Sequence, residues 1–426
     1  MSEASLNTIR PFGRSWTIEE LIRISFAVFV FSGAIAFVEP SPYDFASLIC
    51  IPLWFLGGFR IHWSFITFAA MMLVYTLAGY ISLQPYWNEP LPRMFMFQST
   101  YLLVTGFFFA LFLAERTMER AELCLKAYTA SSMFASLAAL SGYLGIFGAG
   151  VFMADERAQG TFKDPNVMGS YVIPGALYCI HLLITGRTKH KLFTAASLLL
   201  ILSAIFLSFS RGSWLALIIS SVVMMGMTFA ATPDARLRRR MLSGVALTVL
   251  CGGLLIGLML SIPSLRDFFF QRAQGVGEEY ADPRFMNQAR SIPMLLERPL
   301  GFGPLRFRNW FDLEPHSSYV NGFASYGWLG GLSFILIVAT TTWVGFRLCF
   351  ANSPYRSFAQ VYWPALMGFF LQGFQIDIDH WRHVYLLIGA VWALETARRR
   401  WLEREQRVGE SVRRKVPDAP RRRSAA

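Results

Sequence analysis

The sequence predicts an all-α, polytopic membrane bundle of about twelve transmembrane helices with one long hydrophilic run near its middle. Three observations point there. Hydrophobic residues make up 54% of the 426 residues, above the usual apolar content of soluble domains, and the mean hydropathy is positive. The excess arrives in blocks, and a spanning helix needs roughly 20 apolar residues. No stretch shows the alternation of an outer-membrane barrel, and in lipid every backbone polar group must be paired within its own segment, which leaves helices.

Taken in order, the apolar blocks cover 19–38, 43–59, 62–83, 95–114, 122–148, 167–185, 191–209, 212–230, 242–262, 327–349, 358–375 and 381–397. The first has no small-residue cleavage site after it, so it reads as a retained helix and not a removable signal. Arginine and lysine fall in every second connection: Arg60; Arg116 and Arg120; Arg187, Lys189 and Lys191; Arg236 to Arg240; Arg347 and Arg356; and the tail from Arg398. That bias puts these loops and both termini in the cytoplasm. The formal charge of +12 would suggest nucleic acid in a soluble protein, but here it concentrates in these loops and in the tail, so no nucleic-acid partner is expected, and membrane lipids are. The five cysteines are scattered through the apolar blocks without a pairing or metal-binding spacing.

On this reading the chain divides into N-terminal helices (1–150), a catalytic region (151–397) and a basic cytoplasmic tail (398–426). The hydrophilic run, 263–326, falls on the outer side. It carries seven arginines and no lysine, with too many aromatic residues for a disordered linker. A short amphipathic helix lying on the membrane surface is expected from Asp282-Pro283-Arg284 to Arg298-Pro299.

Four groups of residues could carry chemistry. Ser210-Arg211-Gly212 sits at a helix start on the outer face, where an arginine either aims its guanidinium at an anion or caps an interfacial turn. Arg157 to Asn166 precedes the next-earlier outer helix start, and its Asp164-Pro165-Asn166 is also a common helix-start signature. His316 stands alone among arginines, whose charge disfavours its protonated form; a lone histidine is also often structural. Asp377-Ile378-Asp379-His380-Trp381-Arg382-His383 could hold a divalent cation, but the spacing fits no standard metal motif, and a polar wall of a groove is the expectation. Arg93 and Arg382 break the charge bias, either with a task or by snorkelling to headgroups.

The order and spacing of these pieces resemble the O-antigen ligase and polymerase superfamily. The resemblance rests on the Ser-Arg-Gly turn, the Arg157–Asn166 segment, and Arg284 fifteen residues before Pro299-Leu300-Gly301-Phe302-Gly303. It is completed by His316-Ser317-Ser318-Tyr319 followed by Gly327-Trp328-Leu329-Gly330. It covers about residues 150 to 395, and Ser317 stands where many members carry asparagine. The resemblance implies a GT-C-like enzyme of the bacterial inner membrane, active on the periplasmic face, that moves a glycan from undecaprenyl pyrophosphate to a hydroxyl of lipid A core or of another glycan. It implies an inverting reaction without metal or other cofactor. Arg211 and Arg284 would hold the pyrophosphate, His316 would serve the acceptor hydroxyl, and Arg157, Asn166, Ser210 and Gly303 would line the substrate. Ligase is the first reading and polymerase the alternative. A transporter would concentrate ionisable groups at mid-bilayer, where His181 stands nearly alone.

Overall fold

The computed structural model describes residues 8–9, 16–274 and 281–415. After a small antiparallel pair, β1 (Thr8–Ile9) and β2 (Trp16–Thr17), the chain is dominated by helices. They begin with α1 (Ile18–Ser32), α2 (Pro42–Leu56), α3 (Ser64–Leu83), α4 (Pro90–Leu113) and α5 (Thr117–Tyr143). A one-turn α6 (Ala149–Phe152) and a second hairpin, β3 (Met153–Ala154) with β4 (Arg157–Ala158), lead to α7 (Pro165–Tyr171) and α8 (Ile173–Thr185). Then follow α9 (Lys191–Leu207), α10 (Arg211–Ala230), α11 (Ala235–Leu260), α12 (Pro263–Gln274) and α13 (Ala281–Leu296). The last three are α14 (Ser318–Phe350), α15 (Arg356–Gln372) and α16 (Arg382–Lys415).

Local sequence explains where the elements start. Thr17 opens α1 with a capping box, its hydroxyl accepting from the Glu20 N–H at 3.2 Å while the Glu20 carboxylate accepts from the Thr17 N–H at 3.0 Å. Pro174 has no N–H to return to the preceding turn, and the chain breaks at Val172 between α7 and α8. Each predicted apolar block overlaps a helix. Among the described residues, seven helices are long and apolar enough to cross a membrane: α3, α4, α5, α7–α8 as one unit, α10, α11 and α14. Of the rest, α2 and α9 are apolar but have only 15 and 17 residues. The chain is a multi-pass membrane protein; length and composition alone support seven crossings, fewer than the twelve expected.

The run 263–326 is not a loop throughout. Its first part is α12, held by Phe269 stacked on Phe206 and Trp214 at 5.9 and 5.4 Å. Its second helix, α13, begins and ends close to where it was expected. Along α13, Phe285, Ile292 and Leu296 face away from the protein, and Ser291 and Leu295 face in. Its last nine residues already belong to α14, which starts at Ser318 and not at 327. Hydropathy misses this segment because its inner face is polar: Ser318, Asn321 and Ser325 are buried and hydrogen-bonded.

A break inside α14 completes the frame. Gly327 has φ 69° and ψ −170°, and a side chain there would lie 2.4 Å from the Pro299 carbonyl. Into that break fits the turn after α13. Trp328 N donates to the Pro299 carbonyl at 2.8 Å, Phe302 N to the Ala324 carbonyl at 2.8 Å, and Ser82 Oγ to the Leu300 carbonyl at 2.6 Å.

Hydrogen bonds and ion pairs sort the connections into two ends. At one end, Arg116 and Arg120 reach Glu19, Arg60 N donates to Glu115, Arg400 donates to the Arg60 carbonyl, and His62 meets Glu403. At the other, Lys163 pairs with Glu39, Arg382 with Asp44, Arg306 with Glu89, and Arg157 reaches Ser208. These are the two sets that the charge alternation separates. The helix α16 also runs to Lys415, eighteen residues past the predicted end of the last block.

Candidate active site

The Ser-Arg-Gly turn is built by a local reversal. Phe209 takes a left-handed φ of 46°, Ser210 returns to extended backbone, and its hydroxyl caps α10 by accepting from the Ser213 N–H at 3.3 Å. Arg211 is therefore the first helical residue, and it is exposed. Beside it, Arg157 on β4 donates from Nε to the Ser208 carbonyl at 2.8 Å and from Nη2 to Asn166 Oδ1 at 2.7 Å. Asn166 is placed by Asp164, whose carboxylate accepts from the Asn166 N–H at 2.6 Å and caps α7. The Ser213 hydroxyl lies 3.2 Å from the Asn166 carbonyl and 2.9 Å from the Ser210 hydroxyl. Gly169 lets α7 close on this turn, since a Cβ there would sit 2.6 Å from Ser208 Oγ. Arg157, Asn166, Ser210 and Arg211, from separate stretches of sequence, thus share one site.

His316 lies in a second turn. Its backbone is left-handed, φ 48°, and the carbonyl before it accepts from Gln288 Nε2 of α13 at 2.8 Å. The residue after it, Ser317, caps α14. Below the turn lies the Asp377 carboxylate, beside the His316 and Ser317 backbone, with its Oδ1 buried and without a hydrogen-bond partner. Burial, then the nearby Asp379 and Glu314 carboxylates, push the Asp377 acid well above the usual carboxylate range, against the lowering influence of the His316 and Ser317 backbone.

The end of α15 joins the two turns. Gln372 donates to Ser170 Oγ at 3.0 Å, Ser170 lies 2.9 Å from Ser213 Oγ, and the Gln372 amide nitrogen stands 3.3 Å from where a Cβ on Gly212 would be. The next residue, Gly373, accepts from Ser318 N at 2.8 Å. Two consecutive residues therefore touch the Arg211 turn and the start of the His316 helix. Sequence reading passed over Gln372, Ser170, Ser213 and Gln288; the available signal was a glutamine at the end of an apolar block.

Arg284 lies on α13, and its side chain is outside the described residues. Gly303, φ 97°, packs against the Tyr86 ring near the Arg306–Glu89 pair, where it shapes the turn after α13. Asp379 is engaged by Asn321 Nδ2 at 2.9 Å, Ser318 Oγ at 3.2 Å and His380 Nδ1 at 3.2 Å. His380 in turn meets Ser99 at 3.0 Å, and Ser99 meets the Tyr326 hydroxyl at 2.8 Å. This network braces the bend of α14. Among the described residues no three His, Cys, Asp or Glu side chains are grouped as metal ligands.

Residues 196–335 match the family described as O-antigen ligase. The matched stretch contains Ser210, Arg211, Arg284, Gly303 and His316, and stops short of Arg157, Asn166 and Asp377 on either side. It bears out the resemblance to the O-antigen ligase and polymerase superfamily, over a narrower span than residues 150 to 395. No curated protein matches the chain.

Proposed function

We propose that this chain, which matches the O-antigen ligase family over residues 196–335, is a ligase-type glycosyltransferase of the bacterial inner membrane. It takes a glycan from undecaprenyl pyrophosphate and delivers it to a hydroxyl of lipid A core at the periplasmic face. The observation that supports this most is the bridge at Gln372 and Gly373, which sets the cationic turn of Arg211 and the turn of His316 against one helix end.

In the proposed reaction the donor pyrophosphate binds at Arg211, with Arg284 as a second cation and Arg157 holding the turn in shape. Guanidinium groups suit this task because they offer paired, charge-assisted donors to phosphate oxygens. The acceptor hydroxyl gives its proton to the His316 imidazole as its oxygen bonds to the anomeric carbon. The bond from that carbon to the pyrophosphate oxygen breaks on the opposite face, its electron pair leaves with the pyrophosphate, and the configuration inverts. Arginine stabilises the charge that develops there.

The test is the product pattern in a His316→Ala strain. Long glycan chains stranded on the undecaprenyl carrier, over unsubstituted lipid A core, are expected for a ligase. Core capped by a single repeat unit would make the enzyme a polymerase, and normal long-chain lipopolysaccharide would contradict the role of His316 in either reaction.

A further inference from the structure

A cleft of about 760 Å³ opens at the end of the bundle away from Arg211 and His316, among the ends of α2 and α4, the start of α5 and the part of α16 around Arg400. Four arginines line it, Arg60, Arg116, Arg400 and Arg404, against two acids, Glu115 and Glu119. The two signs are not matched. Glu115 is already engaged, accepting from the Arg60 N–H at 2.9 Å and lying 3.4 Å from Arg120, and Arg116 is paired with Glu19 at 3.2 Å. That leaves Arg60, Arg400 and Arg404 facing Glu119, and among the described residues none of the three forms an ion pair.

The half-buried guanidinium, Arg400, is fixed in the wall without being neutralised. It donates to the Arg60 carbonyl at 2.8 Å and to the Ala114 carbonyl at 3.4 Å, and the nearby Glu403 meets His62 instead at 3.3 Å. Burial lowers its pKa from the ordinary arginine value; Glu115 and Glu403 oppose that shift, while the like charges of Arg404 and Arg60 add to it. An anion seated among the three would relieve that repulsion, and Arg60 and Arg404 are exposed, so their guanidinium groups can reach it. The mouth is apolar. Phe55 and Leu56, which end α2 just before the cleft-lining Gly57 and Gly58, are 61% and 81% exposed, and Met118 in the wall is 47% exposed. Trp401 and Tyr355 stand in the same wall, and Trp and Tyr are residue types that gather at the headgroup level of a bilayer.

We propose that this cleft binds one anionic phospholipid of the leaflet at its end of the bundle, with the phosphate among Arg60, Arg400 and Arg404 and the acyl chains along Phe55, Leu56 and Met118. Guanidinium groups offer paired, charge-assisted donors to phosphate oxygens. A free anion would use the arginines alone; a phospholipid uses the arginines and the apolar mouth together. A zwitterionic headgroup brings its own ammonium, which the unpaired arginines repel. The site lies apart from the Arg211 and His316 turns and does not rest on the transferase reading.

The test is native mass spectrometry of the full chain, released from dodecyl maltoside micelles after titration with dioleoyl phosphatidylglycerol. One phosphatidylglycerol should bind ahead of all others, and dioleoyl phosphatidylcholine should bind about tenfold more weakly or worse. The double variant Arg60→Gln with Arg404→Gln should weaken that first phosphatidylglycerol by about tenfold or more, since each basic residue beside an anionic lipid is worth about fivefold. Among the described residues neither side chain forms a hydrogen bond or ion pair, so the variant loses no such contact within the protein. Arg236→Gln with Arg239→Gln removes the same charge from exposed positions at the start of α11 and should shift binding by less than about twofold. Glycerol phosphate should not displace the lipid. Equal binding of the two lipids, equal loss in the two double variants, or no loss in the first would overturn the inference. Displacement by glycerol phosphate at the lipid's own concentration would also overturn it, because the occupant would then be a soluble phosphate.

Discussion

Arg120 and Arg157 sit at opposite ends of the bundle, and each is folded back into it. Arg120 is closed in by acids: its guanidinium lies 3.5 Å from Glu19 and 3.4 Å from Glu115, donates to the Phe112 carbonyl at 2.9 Å and covers the Phe112 ring at 4.1 Å. Arg157 bonds an amide oxygen and a backbone carbonyl, and in doing so ties the start of α7 to the turn that presents Arg211. The first arginine joins helices by neutralising charge. The second shapes a turn. The difference separates architecture from chemistry: losing an arginine at the Arg120 end should cost stability, and losing one at the Arg211 end should cost turnover.

The largest effect is expected at Arg211 and Arg284. Alanine at either site should lower transfer by about 100-fold or more, since each removes charge-assisted hydrogen bonds worth roughly 1.5 to 3 kcal/mol apiece. The variants should still insert in normal amounts. Lysine at position 211 should restore little, because it keeps the charge without the planar fork. A transfer assay beside a membrane-abundance blot checks both points, and full activity in Arg211→Lys would mean that the site needs only a generic cation.

A smaller effect, of the opposite kind, is expected at Arg120. Arg120→Ala takes the cation from the partly buried Glu115 and leaves Glu19 with Arg116 alone, and breaking a buried pair costs about 3 kcal/mol or more. Thermal unfolding of the purified protein should shift down, with transfer per folded molecule unchanged. Lost turnover at normal stability would erase the contrast between the two ends.

The smallest effect concerns Asp377. Its carboxyl is held well above the usual range by burial and by Asp379 and Glu314, so the fold favours the protonated form. That contribution is fully present below the unfolded value of about 3.9 and is lost as pH rises through the folded value. Asp377→Asn keeps the size and shape of the side chain and cannot ionise. It should flatten the pH dependence of thermal stability and leave the protein no less stable at pH 8. A steeper loss of stability with pH in the variant would contradict this.

Much of the helical layout was legible in the sequence, because apolar blocks and cap residues act locally. Asp164-Pro165 starts α7 and Ser210 starts α10, and α13 runs close to where its amphipathic pattern begins and ends. What was not legible depends on contacts far apart in sequence. A hydropathy window reads the stretch before Gly327 as loop, since Ser318, Asn321 and Ser325 lower its average; Asp379, about sixty residues away, makes that polar face a helix. The site shows the same limit. Arg157, Asn166, Ser210 and Arg211 could each be picked out singly, but the bridge through Gln372 and Gly373 exists only once α15 has packed against α10.

The central claim is a division of labour, with Arg211 binding the donor and His316 serving the acceptor across that bridge. The most direct measurement is equilibrium binding of undecaprenyl pyrophosphate to purified wild type, His316→Ala and Arg211→Ala, with turnover measured on the same preparations. His316→Ala should bind within about twofold of wild type and fail to turn over, because the imidazole contributes about 10² to 10⁴ in rate and little to donor affinity. Arg211→Ala should lose both. Equal donor affinity in all three, or weakened binding in His316→Ala with Arg211→Ala unaffected, would contradict the account.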